Sequence, residues 1–193
     1  MNGQGGWEDW AGPGGAGGIV SHIPAIDSDN ILAIAGASDL VYDQWDFDSG
    51  AITLTTMQYL PSEATGKTYF ILLNDHLASP KWALQMAFDL DAGTLHTDQA
   101  ETPGTFDLIT DRWVEIRADI DLGGNAVNVY YDGALVRDGY WENNDGIAQL
   151  TSIDLFANGA DTIYYDDVTV VPEPMSLSLL GLGGLVLLRK RRK

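Results

Sequence analysis

Cysteine is absent from all 193 residues, so no disulfide supports this chain and its stability must come from core burial or a bound metal. Basic residues are scarce before Met175. That stretch holds all 28 acidic residues against only five basic ones, Lys67, Lys81, Arg112, Arg117 and Arg137, a net charge of −23. A surface this acidic repels phosphate backbones, which excludes nucleic acid as a partner on electrostatic grounds. Sustained 3.6-residue periodicity is missing, which argues against a helical body. Catalytic signatures are missing as well. His22, His76 and His96 stand far apart, no Gly-x-Ser-x-Gly elbow occurs, and no glycine loop leads into Lys-Ser or Lys-Thr. Gly12 to Gly18 is glycine-rich without a nearby cation and reads as a loop. The opening Met1-Asn2-Gly3-Gln4-Gly5-Gly6 has neither a cationic start nor an apolar stretch, so a secretory leader is expected upstream or already trimmed.

Short alternating segments are present instead. Trp82, Leu84, Met86, Phe88 and Leu90 alternate with Ala83, Gln85, Ala87 and Asp89. Val114, Ile116, Ala118, Ile120 and Leu122 alternate with Glu115, Arg117, Asp119 and Asp121. A third segment covers 127–131, and further strands are expected at 31–35, 52–60, 68–73, 152–157 and 162–171. Such alternation puts one face of each strand in a core and leaves the other wet. Leu122-Gly123-Gly124-Asn125 and Asp132-Gly133 read as hairpin turns, because Gly, Asn and Asp tolerate positive φ. The expected fold class is all-β, a two-sheet antiparallel jelly-roll sandwich over residues 1–171. On this pattern Trp82 and Trp113 are expected to pack in the core.

Trp113-Val114-Glu115-Ile116, Asp119-Ile120-Asp121 and Val127 to Val136 with its Asp132-Gly133 tip resemble the concanavalin A-like lectin/glucanase superfamily, including its laminin-G-like members. Gly5-Gly6-Trp7-Glu8-Asp9-Trp10 resembles the first strand of carbohydrate-binding jelly rolls, and Ile163 to Val170 the last. The resemblance implies a glycan-binding or structural role, with a polysaccharide hydrolase or lyase as the alternative and a protein-binding adhesion module as a third reading. Hydrolases need two carboxylates about 5–5.5 Å apart for retention or ~6.5–9.5 Å for inversion. Glu115, Asp119 and Asp121 share a strand face, but Arg117 stands among them and favours the charged carboxylates, the opposite of what a general acid needs. That face is expected to be a salt-bridged outer surface, so no catalytic residue is assigned. The resemblance further implies a structural Ca²⁺ between first and last strands, with Glu8 and Asp166 as ligands and Asp167 as substitute. The parity of Val168 and Val170 turns Asp166 inward on this reading. Asp46-Phe47-Asp48, Asp89-Leu90-Asp91 and Asp119-Ile120-Asp121, each followed two residues later by glycine, read as strand-end turns that lack the further ligands of an EF-hand. Loop aromatics beside amides are the expected ligand platform: Tyr140 and Trp141 with Asn143 and Asn144, and Trp45 in an acidic loop.

The C-terminus has three ordered parts. Pro172-Glu173-Pro174 resists helix and ends the preceding strand. Met175 to Leu188 is uncharged, and Arg189-Lys190-Arg191-Arg192-Lys193 follows it. As a helix the apolar run is about 21 Å long, short of a ~30 Å hydrocarbon core, which suits a transient anchor with its cations inside. This order resembles the PEP-CTERM sorting signal of Gram-negative bacteria. The resemblance implies a short C-terminal transmembrane helix over 175–188 within a sorting tail of residues 172–193. It also implies brief residence in the inner membrane, cleavage by an exosortase-type membrane protease, and delivery to a cell surface or extracellular matrix where polysaccharide is the partner.

Overall fold

β-Branched and aromatic residues alternating with polar ones build fourteen strands, and the pleat sends every second side chain inward. The computed structural model describes residues 5–10, 18–23, 28–76, 81–98, 104–142 and 148–173. The strands are β1 Trp7–Asp9, β2 Gly18–Ile23, β3 Ser28–Ile34, β4 Asp39–Tyr42, β5 Ala51–Tyr59, β6 Lys67–Asp75 and β7 Lys81–Asp89. They continue as β8 Thr94–Asp98, β9 Thr105–Asp107, β10 Trp113–Asp121, β11 Ala126–Tyr131, β12 Ala134–Gly139, β13 Ser152–Phe156 and β14 Ile163–Pro172. They form two seven-stranded antiparallel sheets. The first runs β1-β4-β13-β6-β7-β8-β9 and the second β12-β11-β10-β5-β14-β3-β2. The expected all-β sandwich is present, and each expected strand is found to within a few residues. Gly18, read as the end of a loop, instead opens β2.

The core fills the space between the sheets. Phe70, Leu72, Leu84, Phe88 and Leu155 from the first sheet meet Leu54, Ile116, Val129 and Tyr165 from the second. Gln58 Nε2 donates to the Tyr165 hydroxyl over 2.8 Å, so the most buried phenol has its hydrogen bond. The two turns form as their residues demand. Asp132 and Gly133 hold φ of 51° and 77° between β11 and β12. Asn125 holds φ of 50°, and Gly124 N–H donates to Asp121 Oδ1 over 2.8 Å.

Two bulges change what the alternation led one to expect. Between Leu72 and Leu73 the register of β6 against β7 shifts, so Leu73 faces Trp82 while Leu72 faces Leu84. Ala83 and Leu84 are both buried, and Trp82 turns outward with 46% of its surface exposed. Trp82 is therefore not a core residue. Nor is Trp113 on the core face: it precedes buried Val114 and packs outside the second sheet, 5.7 Å from the Tyr59 ring. The other bulge lies in β14 between Asp166 and Thr169, where Asp167 takes φ of 50°.

At the C-terminal end, Pro172 is the last residue of β14, and Glu173 N–H donates to Ala51 O over 2.8 Å. Pro174, the apolar run and Arg189, Lys190, Arg191 and Arg192 lie outside the described residues. Among the described residues no helix is long and apolar enough to cross a membrane.

Gly66, just before β6, packs against the segment between β13 and β14. Its φ is +91°, and a Cβ there would lie 2.6 Å from Gly159 O and 2.8 Å from Ala160 Cα. Both contacts are with backbone, which cannot swing aside. Gly66→Ala is expected to cost roughly 2 kcal/mol or more, read as a lower urea midpoint with an unchanged slope.

Candidate functional site

The outer face of the first sheet is not an ordinary wet face. On β6 the outward residues Tyr69 and Ile71 alternate with the core residues Phe70 and Leu72, so both faces are apolar. Cross-strand pairing lays Asp39, Phe156, Tyr69 and Ala87 in one row and Val41, Asp154, Ile71 and Gln85 in the next. These rows floor an open groove of about 620 Å³ lined by Trp10, Asp39, Tyr69, Ile71, Trp82, Gln85, Asp154, Phe156 and Asn158. Tyr69 and Phe156 stack at 5.8 Å and 19° on its floor. Trp10 follows the end of β1 and is held by its N–H to Asp39 O over 3.0 Å, with its ring edge-on to His76 at 4.8 Å. Trp82 is brought to the groove by the β7 bulge.

Asp39 on β4 and Asp154 on β13 are diagonal neighbours, because Asp39 pairs with Phe156, two residues along from Asp154. That spacing lets side chains on one face meet. The two carboxyls are hydrogen-bonded to each other. Asp154 is only 3% exposed, and one oxygen of each carboxyl has no hydrogen-bond partner. Burial pushes Asp154 up to about 9, helped by the negative charge of Asp39 beside it. Asp39 is also raised, by burial first, while its bond with Asp154 and the nearby His76 oppose the shift. Asp154 therefore holds its proton more tightly than an ordinary carboxyl. His76 itself lies 3.4 Å from Asp43 Oδ2 through Nδ1.

The residues expected to form a ligand platform fall elsewhere. Trp141 is fully buried and its Nε1–H donates to Gln149 O over 2.8 Å, so it is a core residue and offers no ring face to a ligand. Tyr140 beside it is 64% exposed. Asn143 and Asn144 lie outside the described residues. Trp45 is half-buried in a row of aromatic rings, 5.2 Å from Tyr42, which is 5.7 Å from Trp7, and it packs against the core. Glu8 and Asp166 are on different sheets, Glu8 paired with Val41 in the first and Asp166 with Met57 in the second. The bulge after Asp166 changes the strand's parity: Ile163 and Tyr165 face the core, so counting back from Val168 and Val170 gives the wrong face. A Ca²⁺ bridging Glu8 and Asp166 finds no support in this placement. Asp167 is exposed, and its N–H donates to Asp166 Oδ1 over 2.8 Å. Among the described residues no group of three His, Asp or Glu side chains is arranged to hold a metal ion.

The Glu115-to-Asp121 face is on the outside of the second sheet. Arg117 Nη2 lies 3.3 Å from Asp119 Oδ2, and its guanidinium sits 4.1 Å from the centre of the Tyr130 ring. Thr53 Oγ1 donates to Asp119 Oδ1 over 3.1 Å. The expected salt-bridged outer surface is what forms.

No family profile and no curated protein sequence matches this chain. Solved structures do match its fold. A sialidase superposes with a TM-score of 0.59 at 8% identity, over 81% of this chain but 18% of the sialidase. The endo-β-1,4-glucuronan lyase of the fungus Trichoderma reesei gives 0.56 at 12% identity, over 81% of this chain and 87% of the lyase. The cellulose-induced protein Cip1 gives 0.56 at 13%, over 82% and 86%. This protein accordingly shares the jelly-roll β-sandwich fold of these structures. At these identities the likeness is one of fold alone.

The Asp39–Asp154 pair has a pH signature. An acid with a raised folded-state value keeps its proton where the unfolded chain has released it. Stability from Asp154 is fully present below the unfolded value of 3.8 and is lost as pH rises towards about 9. Asp89, Asp111, Asp132 and Asp161 are instead lowered, by their bonds to Lys67, Ser62, Arg112 and Thr65, so their contributions fade only in acid. Asp154→Asn is expected to raise the urea midpoint clearly at about pH 8 and much less at about pH 5. An equal effect at both pH values would show that Asp154 holds no proton.

Proposed function

We propose that this chain is an exported, non-catalytic glycan-binding or structural protein of the cell surface or extracellular polysaccharide matrix, and that the groove on its first sheet is the glycan site. One observation carries the reading. Four aromatic side chains and a small set of polar ones, Gln85, Asn158, Asp39 and Asp154, converge in an open groove of about 620 Å³. Aromatic rings offer flat apolar surface to pyranose C–H groups, while amides and carboxyls receive hydroxyls. The C-terminal tail supports export: by its resemblance an exosortase-type protease releases the body after brief anchoring in the inner membrane.

A polysaccharide hydrolase or lyase is the second reading, and the proton on Asp154 favours it, since a general acid must be protonated at working pH. Geometry weighs against hydrolysis. Two catalytic carboxyls must stand at least about 5 Å apart, and Asp39 and Asp154 are joined by a hydrogen bond. A lyase acting on uronic acids must neutralise a substrate carboxylate, and among the described residues no Lys or Arg lines the groove. A protein-binding adhesion module would want a continuous apolar patch. The exposed large apolar side chains Trp82, Leu135, Tyr140 and Val171 come from β7, β12, the segment after β12, and β14, and only Trp82 lines the groove.

Retention of the full-length chain on immobilised neutral polysaccharides, with analysis of released sugar, tests the reading. Retention without product is expected, and it should persist in chelator unless a metal is required. Trp82→Ala and Tyr69→Ala are each expected to weaken binding by about tenfold, roughly 1.4 kcal/mol. Glu115→Gln on the opposite sheet should change nothing. Steady product release would replace the binding role with the enzymatic one.

A further inference from the structure

We propose that the groove takes a glycan carrying free amino groups, with a sugar ammonium seated against Asp154 and Asp39. This rests on the groove being a glycan site and names the class of sugar it selects.

The groove's own chemistry supports the choice. Among the described residues its lining includes two carboxyls and no Lys or Arg. Asp154 is 97% buried, yet Asp154 Oδ1 and Asp39 Oδ1 each lack a hydrogen-bond partner. Buried acceptors left unmet are costly, and a carboxyl pair needs donors rather than further acceptors. An ammonium brings three donors and a positive charge to the place where both are missing. Neutral sugar hydroxyls can donate too, but they bring no charge. Trp10, Tyr69 and Trp82 add aromatic faces, which attract cations as well as sugar C–H surfaces. The charge of −23 before Met175 attracts a polycation from a distance and repels polyuronates.

Binding has a defined proton balance. Before binding, the pair shares one proton on Asp154. When the ammonium enters, its N–H groups take over the interactions of that proton, which leaves to solvent. Both carboxyls are then ionised against the cation. The other charged groups facing the pair are Asp9, which adds to the negative charge, and His76, which opposes it.

The experiment is titration calorimetry of the full-length chain at mildly acidic pH. The probes are β-1,4-linked glucosamine tetramer, its fully N-acetylated counterpart and cellotetraose. The glucosamine tetramer is expected to bind at least about tenfold more tightly than the other two. Comparison of buffers with different ionisation enthalpies should show about one proton released for it and none for the others. Asp154→Asn and Asp39→Asn should each abolish the preference while keeping weak binding of all three probes. Trp82→Ala should weaken all three alike, which separates stacking from charge. Glu115→Gln with Asp119→Asn, acidic sites on the other sheet, should leave the preference intact. Equal affinity for all three probes overturns the amino-sugar inference and leaves the glycan site standing. A preference that survives Asp154→Asn but falls with the outer-sheet substitutions shows diffuse attraction to the acidic surface, and also overturns it. Failure of all three probes to bind removes the glycan reading itself.

Discussion

The pleat of the first sheet sets the terms for everything else in this molecule. Each strand must send alternate side chains inward to a shared core, and Phe70, Leu72, Leu84 and Leu155 do so. In an ordinary sandwich the opposite face is given to water. Here β6 carries Tyr69 and Ile71 on that face, and β13 carries Asp154 and Phe156. The centre of that face is therefore partly apolar as well. In this chain its centre is walled by Trp10 on one side and Trp82 on the other, which makes a groove out of a face.

The strand pattern and turn chemistry of the body were legible because they depend on local rules. Asp132-Gly133 turns because both residues accept positive φ, and Val114 to Ile120 alternates because β10 has one face in the core. The groove was not legible, because bulges decide it. One shift opposite Leu73 turns Trp82 from core to surface, and another after Asp166 inverts the parity of β14. A bulge adds one residue to one strand of a pair and needs no special residue to mark it, so counting by twos fails without warning. Trp141 was misplaced for a different reason. Its polar neighbours read as a loop on the surface, but its indole N–H finds the Gln149 carbonyl, which makes full burial of the ring affordable. One signal for the groove was in the sequence: Tyr69-Phe70-Ile71-Leu72-Leu73 has no polar face at all, which is unusual for a strand with one wet side.

Charge divides the possible ligands more sharply than shape does. The solved structures with this fold include a glucuronan lyase. A groove built for polyanions needs cations to meet each carboxylate. This one has none among the described residues of its lining, and it sits in a body with five basic residues against 28 acidic ones. On the glycan reading proposed above, the residues of one face would select the sugar, while the core that shapes the face stays a matter of packing.

Asp154 carries that reasoning to its end. A buried carboxyl opposes folding, since it must either hold a proton or stay charged away from water. An apolar residue between Ile153 and Leu155 would complete the strand without that cost, as Ile71 does in the same row on β6. Instead the chain places a second carboxyl, Asp39, within hydrogen-bonding reach, which deepens the penalty. Local choices that disagree with the fold's own stability concentrate where a protein meets its ligand. A proton on Asp154 relieves the conflict, and in the proposal above a sugar ammonium takes that proton's place.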